Sequence, residues 1–131
     1  MATTVTPAQK KIVGGNFLIA ETNPQDVFTP EDFNDQHKLI EQTAEDFAMQ
    51  EIVPNADRIE HKDFAFSREL VKKAADLGLT SVDIPEEYGG AEMDKVSSAI
   101  IADRIAKQGS FAVTFSAHVG IGTLPIVWFG T

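Results

Sequence analysis

The stretch Phe111–Phe129, FAVTFSAHVGIGTLPIVWF, carries no lysine, arginine, aspartate or glutamate. It constrains the fold more than any other feature of the chain. A run of this length approaches the ~20 apolar residues that cross a bilayer as one helix. Yet it contains His118, Pro125, Gly120, Gly122 and several hydroxyls, and no basic anchor follows it. Those residues favour a pair of buried helices over a membrane span. Such a core needs other amphipathic helices to cover it.

The preceding sequence supplies them. Met1 to Asp26 shows no sustained period, is punctuated by Gly14-Gly15 and Pro24, and reads as an extended arm over residues 1–27. A first helix is expected from Thr29, with Pro30 at its first position and Glu31 and Asp32 favoured by the helix dipole. Phe28 and Phe33 are placed to form a hydrophobic staple across that start. Phe33, Ile40, Ala44, Phe47 and Glu51 then share a face that Leu39 and Ala48 widen, until Pro54 ends the helix or starts a short turn to Ile59. A second helix is expected from a Ser67 cap, with Phe66 stapled to Val71. Its apolar face is Leu70, Val71, Ala74 and Leu77, and its stop is Gly78 with Leu79 folded back.

Ser81–Asp94 (SVDIPEEYGGAEMD) is a connector in which Ile84 before Pro85 is held extended and Gly89-Gly90 permit positive φ. A third helix runs from an Asp94 cap to about Gln108 and stops at Gly109. It is apolar nearly all round (Val96, Ala99, Ile100, Ile101, Ala102, Ile105, Ala106), which marks a central helix. Ser110 caps a fourth helix to about Val119, loosened by the following glycines, and Pro125 opens a last turn, Ile126–Phe129. With neither repeat nor strand pattern, the fold class is all-α, an antiparallel helical bundle over residues 28–131.

Composition narrows the function. The chain has 11 basic against 20 acidic residues, a net charge of −9. That balance argues against a grip on nucleic acid or an anionic membrane, both of which need a basic patch. No cysteine is present, which excludes disulfides and thiolate chemistry and suits a reducing compartment. Lys10 and Lys11 are followed by neither an Arg-rich amphipathic pattern nor a leader-length apolar run, so a cytoplasmic location is expected.

Chemical motifs are sparse. His37 has Glu41 four residues on, a spacing explained by solvated helix charges. His118 in the apolar helix reads as a buried, hydrogen-bonded histidine, and none of the histidines at 37, 61 and 118 has another at i, i+4. Gly120-Ile121-Gly122 fails as a dinucleotide fingerprint because Pro125 stands where the third glycine belongs. Glu31/Asp32, Glu45/Asp46 and Glu86/Glu87 read as caps or solvated faces, so no catalytic residue and no metal site is assigned.

Three segments in order, IPEEYGG (Ile84–Gly90), DKVSSAIIADRIAKQGS (Asp94–Ser110) and SAHVGIGTLPIVWFGT (Ser116–Thr131), resemble the N-terminal helical domain of the acyl-CoA dehydrogenases. VGGNFLI (Val13–Ile19) and VFTPEDF (Val27–Phe33) are similar to the branch that handles long and very long chains. The resemblance implies a helical domain followed by a β domain and a four-helix bundle. FAD would desaturate acyl-CoA in fatty-acid β-oxidation, a glutamate taking the α proton and the flavin the β hydride. It also implies an electron-transfer flavoprotein-type acceptor and a homo-oligomer. The chain ends where that family continues, so the expectation is a piece of a longer enzyme, inactive and without tight FAD binding by itself. One role carries over to this sequence. Val113 and Ala117 occupy the positions that close the acyl pocket with polar or charged groups in medium-chain members. Small apolar side chains there imply an open base suited to longer chains. The alternative, from a different class, is a stand-alone helical module that docks a partner protein through its apolar last helices.

Overall fold

A computed structural model describes residues 14–131. The reading of residues 1–13, including Lys10, Lys11 and the start of the arm, lies outside the described residues. The chain forms two compact units, one ending at Asn34 and the other spanning Asp35–Thr131.

In the first unit Gly14–Leu18 and Pro24–Asp26 wind into short 3-10 turns. Thr29 and Pro30 do start a helical turn, but it lasts only Pro30–Asp32. The Asp32 carboxylate accepts the Thr29 N–H at 3.0 Å and closes the turn on itself. Phe33 then turns extended, at ψ 126°, with its ring 6.1 Å from that of Phe28. The staple forms as expected. The helix expected to run on from Thr29 does not, because the backbone leaves helical geometry at Phe33.

In the second unit α1 is Asp35–Phe47, and its buried residues are His37, Ala44 and Phe47. Leu39, expected to widen the apolar face, is exposed. The helix continues as a wide π turn, Ala48–Ile52, then a 3-10 turn, Val53–Asn55, and α2, Ala56–Glu60. The wide turn has a local cause. Pro54 lacks the N–H that would pair with the Gln50 carbonyl and continue the ladder, and the Asn55 side-chain amide donates to the Glu51 carbonyl at 2.9 Å.

Helix α3, Phe64–Asp76, begins one turn earlier than expected. Its cap is Asp63, whose carboxylate accepts the Phe66 N–H at 3.0 Å, while Ser67 lies within the first turn and donates to the Asp63 carbonyl. A carboxylate is the stronger acceptor; the Phe66 N–H, then Arg58, hold the Asp63 carboxyl below the usual range. Phe66, Leu70 and Ala74 are buried, whereas Leu77, placed on the same face by spacing, is exposed. The stop is as expected. Gly78 has φ +77°, its N–H meets the Ala75 carbonyl, and the Leu79 N–H returns to Ala74, both at 2.9 Å.

The connector folds back on itself, Met93 N–H donating to Val82 and Ala91 N–H to Ser81. Gly89 uses its freedom at φ +80°. Gly90 is needed for a different reason: a Cβ there would overlap the Ile84 carbonyl.

Helix α4, Lys95–Ile105, is capped by Asp94 as expected. Ile100, Ile101 and Ile105 are buried, but Ala99, Ala102 and Ala106 are exposed, so one side of this helix is uncovered. Gly109 opens α5, Gly109–Ser116, rather than stopping α4. The cap is the buried Gln108, not Ser110; its amide oxygen accepts the Phe111 N–H at 2.6 Å. The chain then passes through a π turn, Ala117–Thr123, into α6, Leu124–Phe129. Gly120 and Gly122 sit inside this wide turn, which again precedes a proline, Pro125.

The apolar stretch is therefore one helix of 21 residues, Gly109–Phe129, rather than a buried pair. By length and composition it could cross a membrane, and only 11% of its apolar window is buried. Its inner side is nonetheless packed: the Phe111 ring lies 6.4 Å from Phe47 and 6.3 Å from Phe115.

The core forms mainly where α1 meets α4. Near the start of both helices His37 bonds Asp94. Further along Glu41 pairs with Arg104, and near the ends Glu45 meets Lys107 at 3.1 Å. These contacts follow the same order along both helices, so this pair runs in the same sense and not antiparallel. Two intervening helices and the connector give the chain room to return to its starting end. Among the described residues there is no strand, and the fold is all-α.

Candidate functional site

The rotation of α5 decides which of its residues face outward. Phe111 and Phe115 are 0% and 2% exposed and lock one side against α1 and α4. Val113, two residues from each, is consequently 71% exposed. Ala117, four residues further along, is also exposed, so the two predicted site residues lie on the outer side. Ile121 at 81%, Ile126, Trp128 and Phe129 continue the apolar exposure along the helix. Ile121 was not among the residues expected at the site; its spacing of four from Ala117 was the available signal.

Inside the helix there is little room. A cavity lined by Leu79, Val82, Ile84, Ile101, Phe115 and Ser98 measures about 20 Å³, enough for roughly one water. The Ser98 hydroxyl is buried without a partner. An acyl tail does not fit there. Any apolar ligand of this helix would lie along its outer side.

The histidines are placed otherwise than expected. His118 is exposed, not buried, because it stands next to Ala117 on the outer half of the helix; its carbonyl accepts the Thr123 hydroxyl at 2.7 Å. His37 is the buried one, 3% exposed, with ring Nε2 at 2.9 and 3.1 Å from the two Asp94 oxygens. Since a carboxylate only accepts, Nε2 carries the proton. Burial opposes the charge on Asp94. The Ser97 N–H, the His37 ring and the Ser97 hydroxyl outweigh it and hold the carboxyl below its usual range. This is a structural lock between α1 and α4. Nothing in the sequence links residues 37 and 94.

Among the described residues no group of His, Cys, Asp and Glu could hold a metal. The acidic pairs are dispersed: Asp32 caps a turn, Glu45 meets Lys107, and Glu86 and Glu87 are exposed. Nor do the residues fit a flavin dinucleotide unaided. The cavity beside α1 and α3 is lined by Asp46, Glu51 and Asp76 with Lys73 as its one cation, which repels a diphosphate. The cavity beside α2, α3 and α5 offers side-chain cations, but Glu60 and the apolar Ile59, Phe64 and Val71 line it with them.

Comparison with known proteins accounts for the arrangement. Residues 34–131 match the family model "Acyl-CoA dehydrogenase, N-terminal domain". A probable acyl-CoA dehydrogenase of Bacillus subtilis is 50% identical over 118 residues, covering 90% of this chain and 20% of that protein. The human mitochondrial short-chain specific acyl-CoA dehydrogenase is 33% identical over 126 residues, 95% of this chain and 29% of that protein. An acyl-CoA dehydrogenase of Bacillus anthracis, solved in complex with FAD, superposes with a TM-score of 0.82 at 52% identity, over 90% of this chain and 20% of that one. The chain thus spans about a fifth to under a third of these relatives. With its all-α architecture, its capped α4 and its outward apolar helix, the chain belongs to the acyl-CoA dehydrogenase N-terminal domain family.

Proposed function

We propose that this chain supplies the acyl-tail wall of an FAD-dependent acyl-CoA dehydrogenase acting in cytoplasmic fatty-acid β-oxidation. In this reading the acyl-CoA is a long-chain one, the acceptor is an electron-transfer flavoprotein and the enzyme is a homo-oligomer. The observation that carries it is the outward position of Val113 and Ala117 on a helix whose other side is locked into the core. Both side chains are small and apolar, and the face continues apolar to Ile121. Each methylene covered by such a surface contributes about 0.8 kcal/mol. The chain itself provides one wall, and we assign it no catalytic residue.

The test is Ala117→Glu in the FAD-loaded enzyme that contains this domain. A carboxylate against methylenes is blocked sterically and resists desolvation. Long acyl-CoAs should lose about 10²-fold or more in kcat/KM, equivalent to three or four methylenes, while short ones retain activity. Equal loss at every chain length would make Ala117 a packing residue. No loss at any length would place the acyl tail elsewhere and end the proposal.

A further inference from the structure

The cavity between α2, α3 and α5 measures about 510 Å³, within the size range of small-molecule sites. Lys62, Arg68 and His118 all line it. Their meeting there is unexpected in a chain of charge −9. Among the described residues Arg58, Lys72, Lys73, Lys95, Arg104 and Lys107 each pair with a carboxylate. Lys38, Lys62 and Arg68 do not, and two of these three meet at this cavity.

The hydroxyls around it are already committed, and its one acid holds two neutral donors on a single oxygen and keeps its charge. Glu60, the one acidic residue of the lining, accepts from the Gln108 amide and, at 2.8 Å, from Ser110. Ser67 donates to the Asp63 carbonyl and Thr114 to that of Ser110, both at 3.1 Å. Each hydroxyl has one proton, and each proton is in use. The remaining donors are the ammonium, the guanidinium and the imidazole, which suit an anion.

The backbone at Lys62 ends α2 and shapes this edge of the cavity, with the Asp63 N–H returning to the Arg58 carbonyl at 3.1 Å. The Lys62 φ of +62° is left-handed, a conformation that costs a lysine about 1 kcal/mol and that glycine would adopt freely. The turn is held by Lys62 N–H to Ile59 at 3.0 Å and Phe64 N–H to the Lys62 carbonyl at 2.8 Å. It presents Phe64 at the same cavity, 72% exposed.

We propose that this cavity binds a small organic phosphate, the phosphate on Lys62, Arg68 and His118 and the apolar body on Phe64. A phosphate fits better than a carboxylate because it offers three terminal oxygens and up to two charges. The site adjoins the acyl-tail wall, since Thr114 and His118 directly follow Val113 and Ala117, but it does not depend on that reading.

The test is a titration of the ¹⁵N-labelled 131-residue chain with phenyl phosphate, inorganic phosphate and acetate, followed by NMR. Phenyl phosphate should give saturable shifts at Lys62, Phe64, Arg68, Thr114 and His118, and bind more tightly than either other ion. The Lys62→Gln/Arg68→Gln double variant should weaken it about tenfold or more, as expected for lost charged hydrogen bonds. Lys38→Gln should leave it unchanged. Neither cation of the double variant has a carboxylate partner, so circular dichroism should report an intact fold. Non-saturable shifts, equal affinity for phenyl and inorganic phosphate, or an unaffected double variant would overturn the proposal. So would saturable binding of a polyglutamate peptide with no response to phenyl phosphate, which would make this a protein-docking surface.

Discussion

Replacing Asp94 by alanine removes three interactions at once, and each can be weighed. The first is the cap of α4, the bond from Ser97 N–H at 3.0 Å; losing such a cap costs about 1 kcal/mol. The second is the His37 bond. That ring is 3% exposed, and an unpaired buried N–H costs about 1–3 kcal/mol. The third is the Ser97 hydroxyl, 3.0 Å from the same oxygen on a residue 1% exposed, with a similar penalty of about 1 kcal/mol. Asp94 itself is 55% exposed, so water re-entering the site offsets part of the sum. About 3 kcal/mol is expected, or ~15 °C in Tm for a domain near this size.

Urea denaturation with a far-UV circular dichroism readout measures it. Asp94→Asn keeps a good cap and an acceptor for the ring, and should cost about 1 kcal/mol. The pH dependence has a definite sign. The folded Asp94 carboxyl lies below its usual range, so its contribution is present above the unfolded value of about 3.9. It disappears as pH falls through the folded one. The gap between wild type and Asp94→Asn should therefore close in acid. A loss under about 1 kcal/mol for Asp94→Ala, or equal losses for the two variants, would refute the lock between α1 and α4.

Gly90→Ala should destabilise by about 2 kcal/mol or more, because its Cβ meets the Ile84 carbonyl rather than a yielding side chain; urea midpoints compared with Gly109→Ala, where an added Cβ meets nothing, check it. Trp128, the single tryptophan, is 60% exposed, so acrylamide should quench its fluorescence nearly as freely as that of a free indole. The same outer surface should bind an apolar dye, and a strongly protected indole without dye binding would contradict the outward orientation of α6.

The starts and stops of most elements were legible in the sequence because they are made by neighbours a few residues apart. Thr29 with Asp32, Asp94 with Ser97, and Gly78 with Leu79 close their bonds within one turn, and those bonds form wherever the segment goes. Two of the failures were also local competitions: Asp63 over Ser67 and Gln108 over Ser110 are better-placed acceptors one turn or two residues earlier. The family, too, was legible, in the motifs from Ile84 to Thr131. Other features arose only on packing. His37 and Asp94 are 57 residues apart, and nothing in either segment anticipates their bond. Val113 and Phe111 are equally apolar in a list of residues; the rings of Phe47 and Phe115 turned one inward and left the other outside. Lys62, Arg68 and His118 likewise lie on three different elements. A cap is a property of one turn of chain, whereas a face or a cavity belongs to the surfaces that several helices leave uncovered once their cores have met.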